Sequence, residues 1–325
     1  MGNKIRNYSP SGVIPRQLAE KIKLAIYTLL YTPVYRMITL VHHLKTRKTK
    51  YRHNVSLCLI FKNEAPYLKE WIEYHRLIGI EHFYLYNNFS DDNYKDVLAP
   101  YIEDNLVTLV EFPVKYGQIK AYEDCYAKAK KETNWLGFID ADEYVNLIEA
   151  NDIKEFLSSY RRFPSVMFNW KMFGTSGYIE ENEEELTTER YTSCWPWLCN
   201  TGKGFINNDY DFCQFNIHWQ LSKSGRLTLW PVNLDRCISR YNHSVYSQHV
   251  AAKGYINHYW SRSYSKYIYK DFHKGDAASA DCDKARKSSD RFMKHEINNS
   301  AKDYSIQRWL VILKNRFAQN HKDAE

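Results

Sequence analysis

Val55-Ser56-Leu57-Cys58-Leu59-Ile60-Phe61, closed by Lys62-Asn63-Glu64, opens the part of the chain that decides the fold, and Trp135-Leu136-Gly137-Phe138-Ile139, closed by Asp140-Ala141-Asp142-Glu143, ends it. Each is a short apolar run cut off by polar residues, the pattern of a strand buried in a sheet. After the first run Pro66 marks a helix start, and Leu68, Trp71, Ile72 and Leu77 carry helical spacing until Gly79 stops it. His82-Phe83-Tyr84-Leu85-Tyr86 is a second strand, followed by a polar loop from Asn87 to Asp92. A helix over Tyr94–Glu103, a strand over Val107–Phe112 and a helix over Gln118–Lys131 lead to the fourth strand. Strands alternating with helices predict an α/β fold with a mostly parallel sheet flanked by helices. Such sheets bind ligands beyond the carboxyl ends of their strands. The polar residues at those ends, Asn63 and Glu64, Asn87 and Asn88, and Asp140 to Glu143, are therefore the first candidates for a site.

Outward from this core the pattern loosens. Ser165–Trp170 reads as a strand, Glu180–Glu185 as an exposed acidic loop, and Tyr264–Phe272 and Lys284–Glu296 as helices. Ser305–Phe317 is a terminal amphipathic helix. Upstream, Leu18–Leu44 is apolar-rich but interrupted by Glu20, Lys21, Lys23, Pro33 and Arg36, which excludes a transmembrane span. It predicts two amphipathic helical pieces broken at Pro33, lying either on the domain or on a bilayer surface. The basic run Lys45-Thr46-Arg47-Lys48-Thr49-Lys50-Tyr51-Arg52 is open to the same pair of readings, a solvated linker or contact with an anionic membrane.

The chain has 325 residues, 44% of them apolar, enough for a sizeable core and against global disorder. Its net charge of +7 is diluted by 38 acidic residues, so no nucleic-acid partner is expected. The 27 tyrosines suit stacking on sugars or bases and suit core edges equally well. Seven cysteines, an odd number without a C-x-x-C pair, indicate a reducing compartment with neither a disulfide framework nor a zinc site. The stretch Met1–Ser11 is polar and carries Pro10, so a secretory leader is not expected there.

Phe138-Ile139-Asp140-Ala141-Asp142-Glu143-Tyr144 delivers carboxylates to a strand end. Alternation along an extended segment would point Asp140 and Asp142 the same way. Two close carboxylates repel, and a hard cation such as Mn²⁺ or Mg²⁺ relieves the repulsion. An ion held this way can bridge the diphosphate of a nucleotide-sugar and act as a Lewis acid on the leaving group.

The segment Leu57–Tyr144 resembles the nucleotide-binding half of GT-A glycosyltransferases, in particular glycosyltransferase family 92 and its bacterial family-2-like relatives. The residues that carry the resemblance are Lys62-Asn63-Glu64, Trp71-Ile72-Glu73-Tyr74-His75, Tyr86-Asn87-Asn88 with Ser90 and Asp92, Gln118 with Asp124-Cys125, and Asp140-Ala141-Asp142-Glu143. Trp170-Lys171-Met172-Phe173-Gly174-Thr175-Ser176-Gly177 is similar to the family's W-x-x-F-G-[ST]-S-G loop, and Glu189-Arg190-Tyr191 and His258-Tyr259 extend the match over residues 55–277.

The resemblance implies a GT-A-like domain over 53–277, between an amphipathic, basic extension at 1–52 and a helical extension at 278–325. It implies an inverting, metal-dependent transfer of a hexose, galactose among the candidates, from a nucleotide-sugar donor to a glycan or lipid-linked acceptor. Surface polysaccharide or lipopolysaccharide synthesis at the cytoplasmic face of a membrane would be the setting. Nucleotide-sugar binding falls to Glu64, Asn87, Asp92, Gln118 and Asp140. Asn87 stands where the related pattern often has an Asp that reads the base, and helix capping is the other reading of Asp92. The metal falls to Asp140, Asp142 and His258, with His218 the competitor for the imidazole. The base that deprotonates the acceptor is assigned to Glu189, with Asp209 and Asp211 as rivals and an ion pair as its structural alternative. Arg262, Lys270 and Lys274 follow His258 and read either as phosphate contacts or as ordinary basic helix surface. A nucleotidyltransferase would share this sheet, but Phe61-Lys62-Asn63-Glu64-Ala65-Pro66 offers no glycine-rich phosphate loop. A non-catalytic sugar-nucleotide-binding protein of the same fold stays open.

Overall fold

The computed structural model describes residues 18–46, 49–199, 201–239, 253–275, 277–279 and 291–322. The helix expected over Lys284–Glu296 lies largely outside these residues, as do Arg47, Lys48 and Cys282. The helices are α1 (Leu18–Lys45), α2 (Ala65–Leu77), α3 (Tyr94–Glu103), α4 (Gln118–Ala129), α5 (Ile153–Ser158), α6 (Thr187–Arg190), α7 (Tyr264–Ile268), α8 (Arg291–His295) and α9 (Leu310–Lys322).

The central sheet is built from β1 (His53–Phe61), β2 (His82–Asn87), β3 (Val107–Glu111), β4 (Thr133–Phe138), β5 (Glu143–Leu147), β6 (Ser165–Met172), β8 (Gly202–Asn207), β12 (Val232–Asn233) and β13 (Gly254–His258). β7 (Ser193–Cys194) pairs with β14 (Ala301–Lys302), and β9 (Phe212–Phe215), β10 (Gln220–Ser224) and β11 (Leu227–Leu229) form a small sheet of their own.

The order β3-β2-β1-β4-β8-β6-β13-β5 begins with four parallel strands, the alternating series legible in the sequence. β8 then runs antiparallel between β4 and β6, and β13 is parallel to β6 and antiparallel to β5. The first strands are apolar because helices cover the sheet. Seven successive residues of β1 and all six of β2 are buried. Gly202 lets β8 approach β6 closely; a Cβ there would lie 1.8 Å from the Phe168 carbonyl oxygen.

Pro33 does not split the N-terminal segment. α1 is one helix of 28 residues with Pro33 inside it. A mid-helix proline costs about 3 kcal/mol in lost hydrogen bonding and ring clash. Packing on either side of it offsets that cost. The Tyr31 hydroxyl donates to the Thr228 carbonyl, and the buried Tyr35 donates to the Trp230 carbonyl at 2.8 Å. Tyr35 and, from α9, Leu313 belong to the same buried cluster as the sheet strands.

Candidate active site

The acidic segment is not extended. Glu143 N–H donates to the Asp140 carbonyl at 3.0 Å, closing a tight turn between β4 and β5. Asp140 and Asp142 face one cavity because the turn brings them there, not by strand alternation. The register of β5 against β13 sets His258 opposite Glu143, and Tyr259 N–H donates to the Asp142 carbonyl at 2.8 Å. That pairing carries an imidazole from 116 residues away in the chain (258 against 142) to the acidic turn.

The cavity has a volume of about 340 Å³ and opens at the carboxyl ends of β1 and β4. Lys62, Lys115, Lys203, Lys270 and Lys274 line it together with the carboxylates Glu64, Asp140 and Asp142. Its apolar wall includes Trp170 and Trp260, with His218 and His258 beside them. Ring centroids of Trp170 lie 4.5 Å from His258 and 5.0 Å from His218.

Each carboxylate has its own partners. Asp140 accepts from Lys203 Nζ at 2.8 Å, and from Gln118 Nε2 and the Tyr122 hydroxyl at 3.2 Å each. Asp142 presents Oδ2 to Lys270 and Oδ1 to His258 Nε2, 3.6 Å away. Burial alone would raise the Asp142 pKa, but Lys270 and then His258 hold it well below the ordinary value. Burial lowers the His258 pKa against the pull of Asp142, which favours the neutral ring, the form that can ligate a metal. Burial pushes the Glu143 carboxyl well up, against the pull of Lys203, and its Oε2 accepts from Asp140 N–H at 2.9 Å.

Glu64 accepts from Arg262 Nη1 at 3.0 Å and from Lys274. Against the upward push of burial, Lys274 and Arg262 bring its pKa down to about 2. Arg262 is itself buried, donates to the Ala141 carbonyl at 3.1 Å and lies over the Tyr67 ring. It thus ties the end of β1 to the acidic turn. Lys266, Lys270 and Lys274 recur every four residues through α7 and the π-helical turn Tyr269–Lys274, and with Arg262, which precedes α7, they form one cationic row along this edge of the cleft.

The structure therefore brings together Glu64, Gln118, Asp140, Asp142 and His258, and His218 lines the same cavity. It does not bring in Asn87, whose amide is committed elsewhere: Nδ2 donates to Tyr94 OH at 2.8 Å and Glu111 Oε2 at 2.6 Å, and Oδ1 accepts from Ser90 N–H at 3.0 Å. The neighbouring Asn88 lines the cavity instead. Asp92 accepts from Ala65 N–H at 2.8 Å and so caps α2 from outside. Glu189 lies on α6, pairs with Lys314 at 2.5 Å and lines a separate cavity. Asp209 accepts from Tyr51 at 3.0 Å and Asp211 pairs with Lys130, both away from the acidic turn. The Gly174–Gly177 turn spends its donors internally: Gly174 N–H reaches the Ser193 carbonyl at 3.0 Å, and Ser176 N–H reaches Asn299 Oδ1 at 2.8 Å.

Lys203 and Trp260 were not legible as site residues. The only local signal for Lys203 is a lysine flanked by glycines inside an otherwise apolar strand, Gly202-Lys203-Gly204-Phe205-Ile206.

A mostly parallel α/β sheet with an acidic turn and a row of cations at its carboxyl edge is the layout of a GT-A-type chain. The chain belongs to glycosyltransferase family 92, whose family model matches residues 52–304. A family 92 protein of Arabidopsis thaliana is 32% identical over 125 residues, covering 36% of this chain and 22% of the relative. One from Oryza sativa subsp. japonica is 29% identical over 140 residues, covering 42% and 24%. A β-1,4-galactosyltransferase of Caenorhabditis elegans is 27% identical over 132 residues, covering 36% and 31%. The matched region thus spans less than a third of each of these relatives. Among solved structures, S. aureus TarS 1-349 in complex with UDP-GlcNAc aligns with a TM-score of 0.34 and 15% identity, over 48% of this chain and 45% of that one. The mannosyltransferase PcManGT from Pyrobaculum calidifontis, in complex with GDP-Man and Mn²⁺, aligns at 0.30 and 14%, over 56% and 55%.

Proposed function

We propose that this chain transfers a hexose, galactose in the first instance, from a nucleotide-sugar donor to a glycan or glycolipid acceptor, with inversion at the transferred carbon. The observation that carries the reading is the cavity at the acidic turn, where five lysines outnumber three carboxylates beside two tryptophans. Excess cation in a concave, partly apolar site suits a diphosphate joined to a sugar. Lys270 and Lys274 meet the phosphates, and Trp170 offers an aromatic surface to the sugar. Glu64 acts through Arg262 and Lys274, holding both cations in place rather than binding the nucleoside directly. The C. elegans galactosyltransferase supports the choice of galactose.

Mn²⁺ or Mg²⁺ is proposed as cofactor, held by Asp142 and His258. Their facing donor atoms are 3.6 Å apart, compatible with two ligands each about 2.1 Å from one ion. Among the described residues no three His, Cys, Asp or Glu side chains converge as a metal cluster. The remaining positions would go to the donor's phosphates and to water, the usual habit of Mg²⁺. Asp140, committed to Lys203, Gln118 and Tyr122, orients the turn. When bound, the ion supplies Lewis-acid neutralisation of the departing diphosphate. Glu189 is not carried forward as the base, because it lines a separate cavity. The acceptor is proposed to be a surface polysaccharide or lipopolysaccharide precursor met at the cytoplasmic face of a membrane.

The test is release of nucleoside diphosphate from a panel of nucleotide-sugars with Mn²⁺ and mixed acceptors. One donor is expected to be consumed, and chelation of the metal is expected to stop it. No release with any donor overturns the proposal.

A further inference from the structure

We propose that α1 lies in the plane of an anionic lipid surface and holds the domain against it. This deepens the membrane part of the function proposed above, and it rests on observations independent of the transfer chemistry.

One side of α1 is spent on the domain. Tyr31 and Tyr35 are buried and hydrogen-bond the carbonyls of Thr228 and Trp230, Thr39 is buried, and the His42 ring stacks on Tyr210 at 3.8 Å. The opposite side carries a row of exposed apolar residues from Ile22 to Leu44. Ile22, Ile26, Leu29, Met37, Leu40 and Leu44 recur at three- and four-residue steps, with Pro33 filling the gap in the series. Leu29 and Leu44 are each 74% exposed, and Met37 is 60% exposed. Single exposed leucines are ordinary on a protein surface, but an unbroken row about 33 Å long is not.

No helix among the described residues is long and apolar enough to cross a membrane. A helix of this kind, apolar on one face only, lies at the boundary between headgroups and acyl chains. Charge selects the occupant. Exposed Lys45, Lys50 and Arg52 follow the row, and the β10–β11 hairpin that receives Tyr31 exposes Lys223 and Arg226. Cations beside an apolar row complement anionic headgroups, whereas in a second copy of the chain they would meet their own kind.

The experiment is co-sedimentation of the full chain with vesicles of phosphatidylcholine alone and with a third of phosphatidylglycerol, at about 0.1 M salt. Leu29→Glu/Met37→Glu/Leu40→Glu is the test variant, and its thermal unfolding checks that these exposed changes leave the fold intact. The wild type is expected to partition at least tenfold more strongly onto anionic than neutral vesicles. The variant is expected to lose at least tenfold of that binding while its donor turnover in solution stays unchanged, so failure here is distinct from failure of the transferase reading. Equal binding to both vesicles, equal binding by the variant, or no vesicle binding together with a dimer that the variant dissolves would each overturn the proposal.

Discussion

Lys203→Met keeps an unbranched side chain one heavy atom shorter and removes its charge at the base of the cavity. The Lys203 side chain is 1% exposed, and its ammonium is 2.8 Å from Asp140, which is 30% exposed. Burial opposes the charge on Lys203, but Asp140 and then Glu143 hold it protonated. At that separation and an effective dielectric of about 20, the attraction is about 6 kcal/mol. Roughly half is returned in the variant, because the ammonium no longer has to be desolvated and Asp140 can turn to water. A net loss of about 3 kcal/mol follows, at the lower end for a broken buried pair. Urea unfolding followed by tryptophan fluorescence reads it as a midpoint about 1 M lower, for a slope of about 3 kcal/mol/M. Asp140→Asn alone strands the ammonium at similar cost, and the double variant is expected to be about 2 kcal/mol better than the sum of the two. Additivity within about 0.5 kcal/mol, or a neutral Lys203→Met, would refute the assignment of this pair as the support of the acidic turn.

Acidification is expected to destabilise the fold in two stages. His75 and His295 are held neutral by burial, with pKa values near 3 against 6.5 when free, so stability falls as pH drops below about 6.5 and the unfolded chain gains protons that the fold refuses. Glu64 adds stability that is full above about 4.5 and is lost as pH falls toward 2; unfolding midpoints measured between pH 8 and 3 check both. Gly202→Ala is expected to part β8 from β6 and lower the unfolding free energy, read from urea curves, by more than the roughly 1–3 kcal/mol typical of overpacking, because the added Cβ meets backbone and not a movable side chain. Glu189→Gln is expected to keep donor turnover within tenfold of wild type, since its pairing with Lys314 is partly exposed and outside the cavity; a loss on the order of a thousandfold would return it to the role of base.

The four parallel strands were readable because each is an apolar run stopped by polar residues, and those stops mark the end of the sheet where the cavity lies. Asp140, Asp142 and His258 were singled out by residue type and place, but the turn that aims the two aspartates is held by backbone hydrogen bonds that spacing does not announce. Asn87 and Asp92 follow a strand just as Glu64 does. What separates them is who takes their hydrogen bonds, and Glu111, Tyr94 and Ala65 are partners visible only in three dimensions. Lys203 was missed for a topological reason. β8 inserts antiparallel between β4 and β6, and nothing near residue 203 says that the strand will sit beside one ended more than sixty residues earlier. Pro33 misled by a sound local rule that two anchored tyrosines override.

Calorimetric titration of a nucleoside diphosphate into the wild type and into Asp142→Ala, with and without Mn²⁺, tests most directly whether the acidic turn is a donor site. Saturable binding strengthened at least tenfold by Mn²⁺ is expected in the wild type, with that metal-dependent gain absent in the variant. Binding of the same strength in both proteins, or in neither under any condition, would contradict it.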